Sequence, residues 1–164
     1  MRGPLAAEHD AVRRYARGMA KDYSMTHGEV LDFLRSSPAR PGVLATVSDD
    51  GSPHAAPVWY VVDEDGSVVF NTGARTVKGR NLRRTGRACL CVDDPTPPFS
   101  FVTVEGPVHI TEELDEVRSW AAAIGARYMG AARAEEFGAR NGVPGELLVR
   151  LSPERVAAGK DLAT

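Results

Sequence analysis

Phe70-Asn71-Thr72-Gly73-Ala74-Arg75-Thr76-Val77-Lys78-Gly79-Arg80-Asn81-Leu82 takes the chain from a short apolar strand, through a turn at Gly73, into helical spacing. Two arginines, a lysine, a threonine and an asparagine crowd into the seven positions from Arg75 to Asn81. That make-up suits an anion. Backbone donors at a helix start favour phosphate, and the planar fork of an arginine can hold two of its oxygens at once. A basic loop can equally be a solvated surface, so the surrounding elements have to decide.

Upstream of the loop the pattern is that of hairpins. Gly42 to Ser48 reads as a strand, Asp49-Asp50-Gly51-Ser52 as a turn, and Pro53 to Val62 as a second strand. Asp63 to Ser67 turns the chain into a third, Val68 to Thr72. Further upstream, Thr26-His27-Gly28-Glu29 has the spacing of a capping box and predicts a helix that ends at Ser36-Ser37-Pro38. Residues 1–24 carry charge and few large aliphatics, with Val12, Tyr15 and Met19 on one face of a possible short helix; they read as an N-terminal tail before a unit spanning 25–164.

Downstream, Val77 to Arg84 reads as a short helix, Arg87 to Val92 as a strand, and Phe99 to Ile110 as a long strand with Gly106-Pro107 inside it. A glycine and a proline within a strand predict a bulge or a bend at a barrel corner. Thr111 is placed to cap the next helix, with Glu112 and Glu113 in its first turn, and Leu114, Val117, Ala121, Ile124 and Tyr128 recur at helical spacing. Ala131 to Arg140 extends it after a break at Gly130, and Glu146 to Leu151 is a last strand. The count is about six strands, mostly in hairpins, with three or four helices. This predicts a mainly β fold, a small antiparallel barrel with helices packed outside it.

Composition narrows the functional classes. At 164 residues the chain suits one domain, and its formal net charge of −2 gives no global attraction to nucleic acid or to an anionic membrane. No apolar run reaches the length of a membrane span and no signal-peptide core is visible, so the expected location is the cytoplasm. Cys89 and Cys91 read as reduced, small, buried residues on one face of a strand, and His9, His27, His54 and His109 are too scattered for a metal site. No serine-hydrolase elbow or P-loop is present. Asp49-Asp50 and Asp93-Asp94 fall in turns, where aspartate serves local hydrogen bonding.

The order of the motifs carries a resemblance that no single one would. Gly42-Val43-Leu44-Ala45-Thr46, Asp50-Gly51-Ser52-Pro53-His54 and Pro57-Val58-Trp59-Tyr60 come first. Val69-Phe70-Asn71-Thr72, Arg75 to Leu82, Cys89 to Asp93 and Val102-Thr103-Val104-Glu105-Gly106 follow. Over about residues 26–156 the chain resembles the flavin/deazaflavin oxidoreductase superfamily, with its pyridoxamine 5′-phosphate oxidase-like split barrel. The Lys78 to Leu82 stretch and the short end after Pro153, which lacks the C-terminal extension of true pyridoxamine phosphate oxidases, look most like the branch using the deazaflavin coenzyme F-420.

The resemblance implies a six-stranded, Greek-key-like antiparallel split barrel and a homodimer with two cofactor sites at the subunit interface. Carried onto this chain, Arg75, Thr76 and Lys78 would hold the cofactor phosphate, supported by Asn81 and Arg80. Asn71 and Thr72 would bond the ring, and Pro57, Val58 and Trp59 would pack beside it, although Trp59 also reads as a barrel-core aromatic. Arg83 and Arg84 read as solvated helix residues that could meet a polyglutamate tail. Phe99, Phe101, Trp120, Tyr128 and Met129 are candidates for a substrate wall or for core and dimer contacts. The implied activity is hydride transfer to an enone, quinone or tetrapyrrole, with no catalytic acid or base assigned. An FMN-dependent oxidase or reductase on the same fold and a non-catalytic flavin or deazaflavin carrier are the alternatives.

Overall fold

The computed structural model describes residues 24–163. All of the expected N-terminal tail except Ser24 lies outside them; Ser24 makes an antiparallel bridge to Gly159. Among the described residues eight strands are present: β1 (Gly42–Val47), β2 (Pro53–Val58), β3 (Val61–Val62), β4 (Val68–Gly73), β5 (Arg87–Asp94), β6 (Ser100–Thr111), β7 (Glu146–Leu151) and β8 (Arg155–Gly159). The helices of the described residues are α1 (His27–Arg35), α2 (Val77–Thr85), α3 (Leu114–Met129) and α4 (Ala134–Asn141), with a 3-10 turn, Ala131–Arg133, between the last two.

The sheet runs β2-β1-β5-β6-β7-β4-β3, with β8 also pairing β6, and its ladders are antiparallel. The two ends of this path, β2 and β3, are separated in sequence by only Trp59 and Tyr60. The sheet must therefore curl back on itself. The expected six strands become eight for two local reasons. The run from Pro53 to Val62 is broken at Trp59-Tyr60, and the segment after Pro153 forms β8 against the first half of β6.

Both hairpin turns around β2 and β3 are built alike. Asp50 Oδ1 accepts from the Ser52 amide at 2.9 Å, and Asp65 Oδ1 accepts from the Ser67 amide at 2.9 Å. The α1 capping box is formed as expected: the Glu29 amide donates to Thr26 Oγ1 at 3.2 Å and the Thr26 amide to Glu29 Oε2 at 2.7 Å. Before α3, Thr111 accepts from the Glu113 amide at 3.2 Å but ends β6 rather than capping the helix. The acidic first turn is Asp115 and Glu116, three residues later than Glu112 and Glu113.

Strand β6 is the hinge of the sheet. Its first half lies between β5 and β8, and from Val108 onward it pairs with β7. The partner change falls at Gly106-Pro107, the predicted bend. A Cβ at Gly106 would sit 1.9 Å from the Ser152 carbonyl oxygen, so only glycine lets the β7–β8 connection cross there. Inside the curl, Leu44, Tyr60, Phe70, Leu82, Leu90, Val104 and Leu147 form the main core. Strands β4 and β7 are buried on their other face too, where Val69 and Leu148 pack under Val117 and Trp120 of α3. Among the described residues no helix is long and apolar enough to cross a membrane.

Gly106→Ala forces that backbone crossing apart. It is expected to cost more than about 4 kcal/mol of unfolding free energy by urea titration, in the range of the most damaging single substitutions. A cost within 1 kcal/mol would contradict the role given to this crossing.

Candidate functional site

The β3–β4 ladder has two rungs, Val62 with Val68 and Val61 with Val69. Continued in the same register, it would set Trp59 against Asn71 and Pro57 against Gly73. It does not continue. Strand β2 pairs with β1, β4 pairs with β7 on its other edge, and no rung joins β2 to β4. A cavity of about 380 Å³ opens at this split, lined by Pro41, Pro57, Val58, Trp59, Asn71, Thr72, Gly73 and Lys78. Its volume is in the range of small-molecule sites.

The two lips are held from behind. Trp59 is 37% exposed and stacks on Tyr128 of α3, with ring centroids 4.8 Å apart and planes within 3°. The Tyr60 amide donates to the Tyr128 hydroxyl at 3.3 Å, and that hydroxyl donates to the Arg40 carbonyl at 3.0 Å. Next to it the fully buried Tyr60 phenol donates to the Leu34 carbonyl at 3.0 Å; burial pushes its pKa up to about 12, against the opposing pull of Arg127. Trp59 is thus neither a barrel-core residue nor free. It is one wall of the slot, braced by a ring.

Asn71 is the most telling residue of the opposite lip. Its amide nitrogen and oxygen are both buried and neither has a hydrogen-bond partner among the described residues. Leaving such a group unsatisfied costs about 1–3 kcal/mol. Thr72 also lines the cavity. It is buried, with its hydroxyl 3.2 Å from that of Thr76.

Helix α2 closes the phosphate end of the predicted site. A Cβ at Gly79 would lie 2.3 Å from the Gly73 carbonyl oxygen, so glycine lets the helix press onto the end of β4. Here the structure redistributes the expected roles. Thr76 is the N-cap of α2: its hydroxyl accepts from the Gly79 amide at 3.0 Å and donates to the Gly73 carbonyl at 2.8 Å, so its proton is committed. Asn81 is buried and donates to Thr46 Oγ1 at 3.1 Å, which ties α2 to β1 rather than to a ligand. Arg80 donates to the Arg75 carbonyl at 2.6 Å and stiffens the loop. Arg83 pairs with Glu112 and Arg84 with the Val47 carbonyl.

The cations left over are Lys78, which lines the cavity, and Arg75, exposed on the loop before it. Among the described residues the side chain of neither makes a hydrogen bond or a close ion pair. The aromatics expected near a substrate separate. Tyr128 backs Trp59, whereas Trp120 lies under Arg150, whose guanidinium sits 4.6 Å from its ring centroid. Met129 is exposed at the end of α3, and Phe99 and Phe101 meet the C-terminal segment at Leu162 and Gly159.

One half-buried acid near the loop escaped the sequence reading. Glu146 stands opposite Gly73 in the β4–β7 ladder, and burial raises its pKa while Lys78 opposes the rise. The cysteines also differ from expectation. Cys89 and Cys91 are half-buried on the outer face of the sheet, beside the exposed Ala45 and Val43, and burial raises both thiol pKa values. Among the described residues no three His, Cys, Asp or Glu side chains converge as metal ligands.

No curated protein matches the chain. Solved structures do. A conserved hypothetical protein of Mycobacterium tuberculosis, Rv2991, superposes with a TM-score of 0.76 at 28% identity, covering 87% of this chain and 89% of that one. An F-420 reductase gives a TM-score of 0.60 at 22% identity over 76% of this chain and 94% of its own. The heme storage protein HutZ from Vibrio cholerae gives 0.61 at 16% identity, covering 79% and 92%. The last two share the fold alone. The family model for pyridoxamine 5′-phosphate oxidase matches residues 26–159, which run from the α1 cap to the end of β8, and the chain belongs to that family.

Proposed function

We propose that the protein is a homodimeric oxidoreductase that uses the deazaflavin coenzyme F-420 to reduce an unsaturated, conjugated small molecule such as an enone, quinone or tetrapyrrole. The observation that carries this reading is the interrupted β3–β4 ladder, with the unpaired Asn71 amide on one lip, Trp59 on the other and the uncommitted Lys78 at one end. A flat ring with a polar edge and an anionic arm fits those three features.

In this reading Trp59, braced by Tyr128, and Pro57 and Val58 pack against the ring. Asn71 pairs with its polar edge, and Lys78 and Arg75 take the phosphate by charge-assisted hydrogen bonds. Thr76, Arg80 and Asn81 position the loop through the bonds described above. A reduced deazaflavin supplies hydride to an electron-poor double bond. The chain's own part is to bind, orient and keep water out, and no side chain is assigned as acid or base. An F-420 reductase and a heme storage protein share the fold, so the choice of cofactor rests on the loop's likeness to the deazaflavin branch. FMN has a similar ring and a phosphate and is the competing ligand.

The second subunit has a natural seat. Val43, Ala45 and Val47 of β1 face outward beside Ala55 and Pro57 of β2, an exposed row without a charge. Val43 and Val47 remain 44% and 49% exposed in the single chain. Pro57 belongs both to this row and to the cavity, so a second copy seated here would complete the slot.

Two experiments test the proposal. Fluorescence titration should show micromolar or tighter F-420 binding that Arg75→Ala/Lys78→Ala weakens by at least about a hundredfold, from two contacts worth roughly 1.5–3 kcal/mol each. Reduced F-420 should then be oxidised by at least one member of a panel of enones, quinones and tetrapyrroles. Nanomolar FMN binding with none for F-420 would replace the cofactor, and no turnover with any acceptor would favour a carrier. Ala45→Arg should convert the dimer to monomer in sedimentation velocity and weaken F-420 binding with it; a wild-type monomer that binds F-420 fully would contradict the shared site.

A further inference from the structure

Glu146 opens β7 directly across the ladder from Gly73. Its Oε1 lies 3.3 Å from where a Cβ on residue 73 would sit. Because Gly73 has no side chain, the carboxylate can lean across the strand at a point that lines the cavity. The group is half-buried and, among the described residues, makes no hydrogen bond or close ion pair; the charge it senses is that of Lys78. A structural acid at a strand end would ordinarily be satisfied by a neighbour. This one stands uncommitted within the field of Lys78, a cation that the phosphate would need.

We propose that Glu146 selects the charge of the bound phosphate, admitting a singly charged phosphodiester and penalising a doubly charged phosphomonoester. This rests on the reading of the cavity as a deazaflavin site with its phosphate at Lys78 and Arg75. Two cations and one carboxylate leave a single net positive charge at that end. F-420 carries its phosphate as a diester with one negative charge. FMN ends in a monoester that approaches two negative charges above its second pKa near 6. The carboxylate repels both ligands, and it repels the second charge of FMN in addition. At a separation of several ångström in a partly solvated site, one extra like charge weakens binding by about tenfold.

The test is to titrate FMN and F-420 at pH 8 into the wild-type protein, Glu146→Gln, Glu146→Ala and Lys78→Ala, each first confirmed as folded by thermal unfolding. Both Glu146 variants are expected to raise FMN affinity about tenfold more than F-420 affinity, narrowing the preference between the two. Equal changes for the two ligands, or none, while Lys78→Ala weakens both, would overturn the charge selection and leave the phosphate site standing. If Lys78→Ala alters neither affinity, the reading of the cavity fails and the selection by Glu146 fails with it.

Discussion

Everything at the site depends on one ladder that stops. Strands β3 and β4 pair for two rungs, and beyond Val61 and Val69 that edge of β4 has no strand partner among the described residues, although β7 pairs its other edge throughout. In an antiparallel sheet an unpaired edge is a liability, because its amide and carbonyl groups must find water, a ligand or another chain. Six rungs bind β2 to β1 and six bind β4 to β7, and these ladders hold the two strands in separate parts of the curled sheet with no rung between them. The gap is a consequence of the topology, and the cavity follows from the gap.

The remaining elements fix the gap's shape. Helix α3 buries Val117 against Val69 and Leu148, and this anchors the turn of helix that carries Tyr128 behind Trp59. Helix α2 wedges the other end, tied to β1 by Asn81 on Thr46 and by Arg84 on the Val47 carbonyl. The bend at Gly106 matters for the same reason at longer range. It sends β6 from one half of the sheet to the other and so brings β7, with Glu146, alongside β4.

Much of this was legible in the chain because it is local. Turn chemistry placed both hairpins, Thr26 and Glu29 announced α1, and a glycine and proline inside a long strand announced the corner. Pro57, Val58, Trp59, Asn71, Thr72 and Lys78, which the family resemblance implies as cofactor contacts, line one cavity. What was not legible depends on contacts between distant segments. An asparagine that crosses to β1 and one that waits unpaired look identical in sequence, yet Asn81 is the first and Asn71 the second. Thr76, expected as a phosphate ligand, is the α2 N-cap, which shows only in the bond its hydroxyl accepts from the Gly79 amide. Strand β8 carries no strong alternation, being held by pairing with β6, and Glu146 acquires its meaning only from Gly73 across the ladder.

The central claim is that the divergent edges of β2 and β4 receive a flat ligand whose anionic arm lies on α2. Backbone hydrogen exchange followed by mass spectrometry, with and without saturating F-420, tests it most directly. Slowed exchange is expected in peptides covering 57–60 and 71–79, with the Val61–Val62 and Val68–Val69 rungs and α4 unchanged. Protection centred on α4 or on the Phe99 loop, with the β2 and β4 edges unaffected, would contradict it.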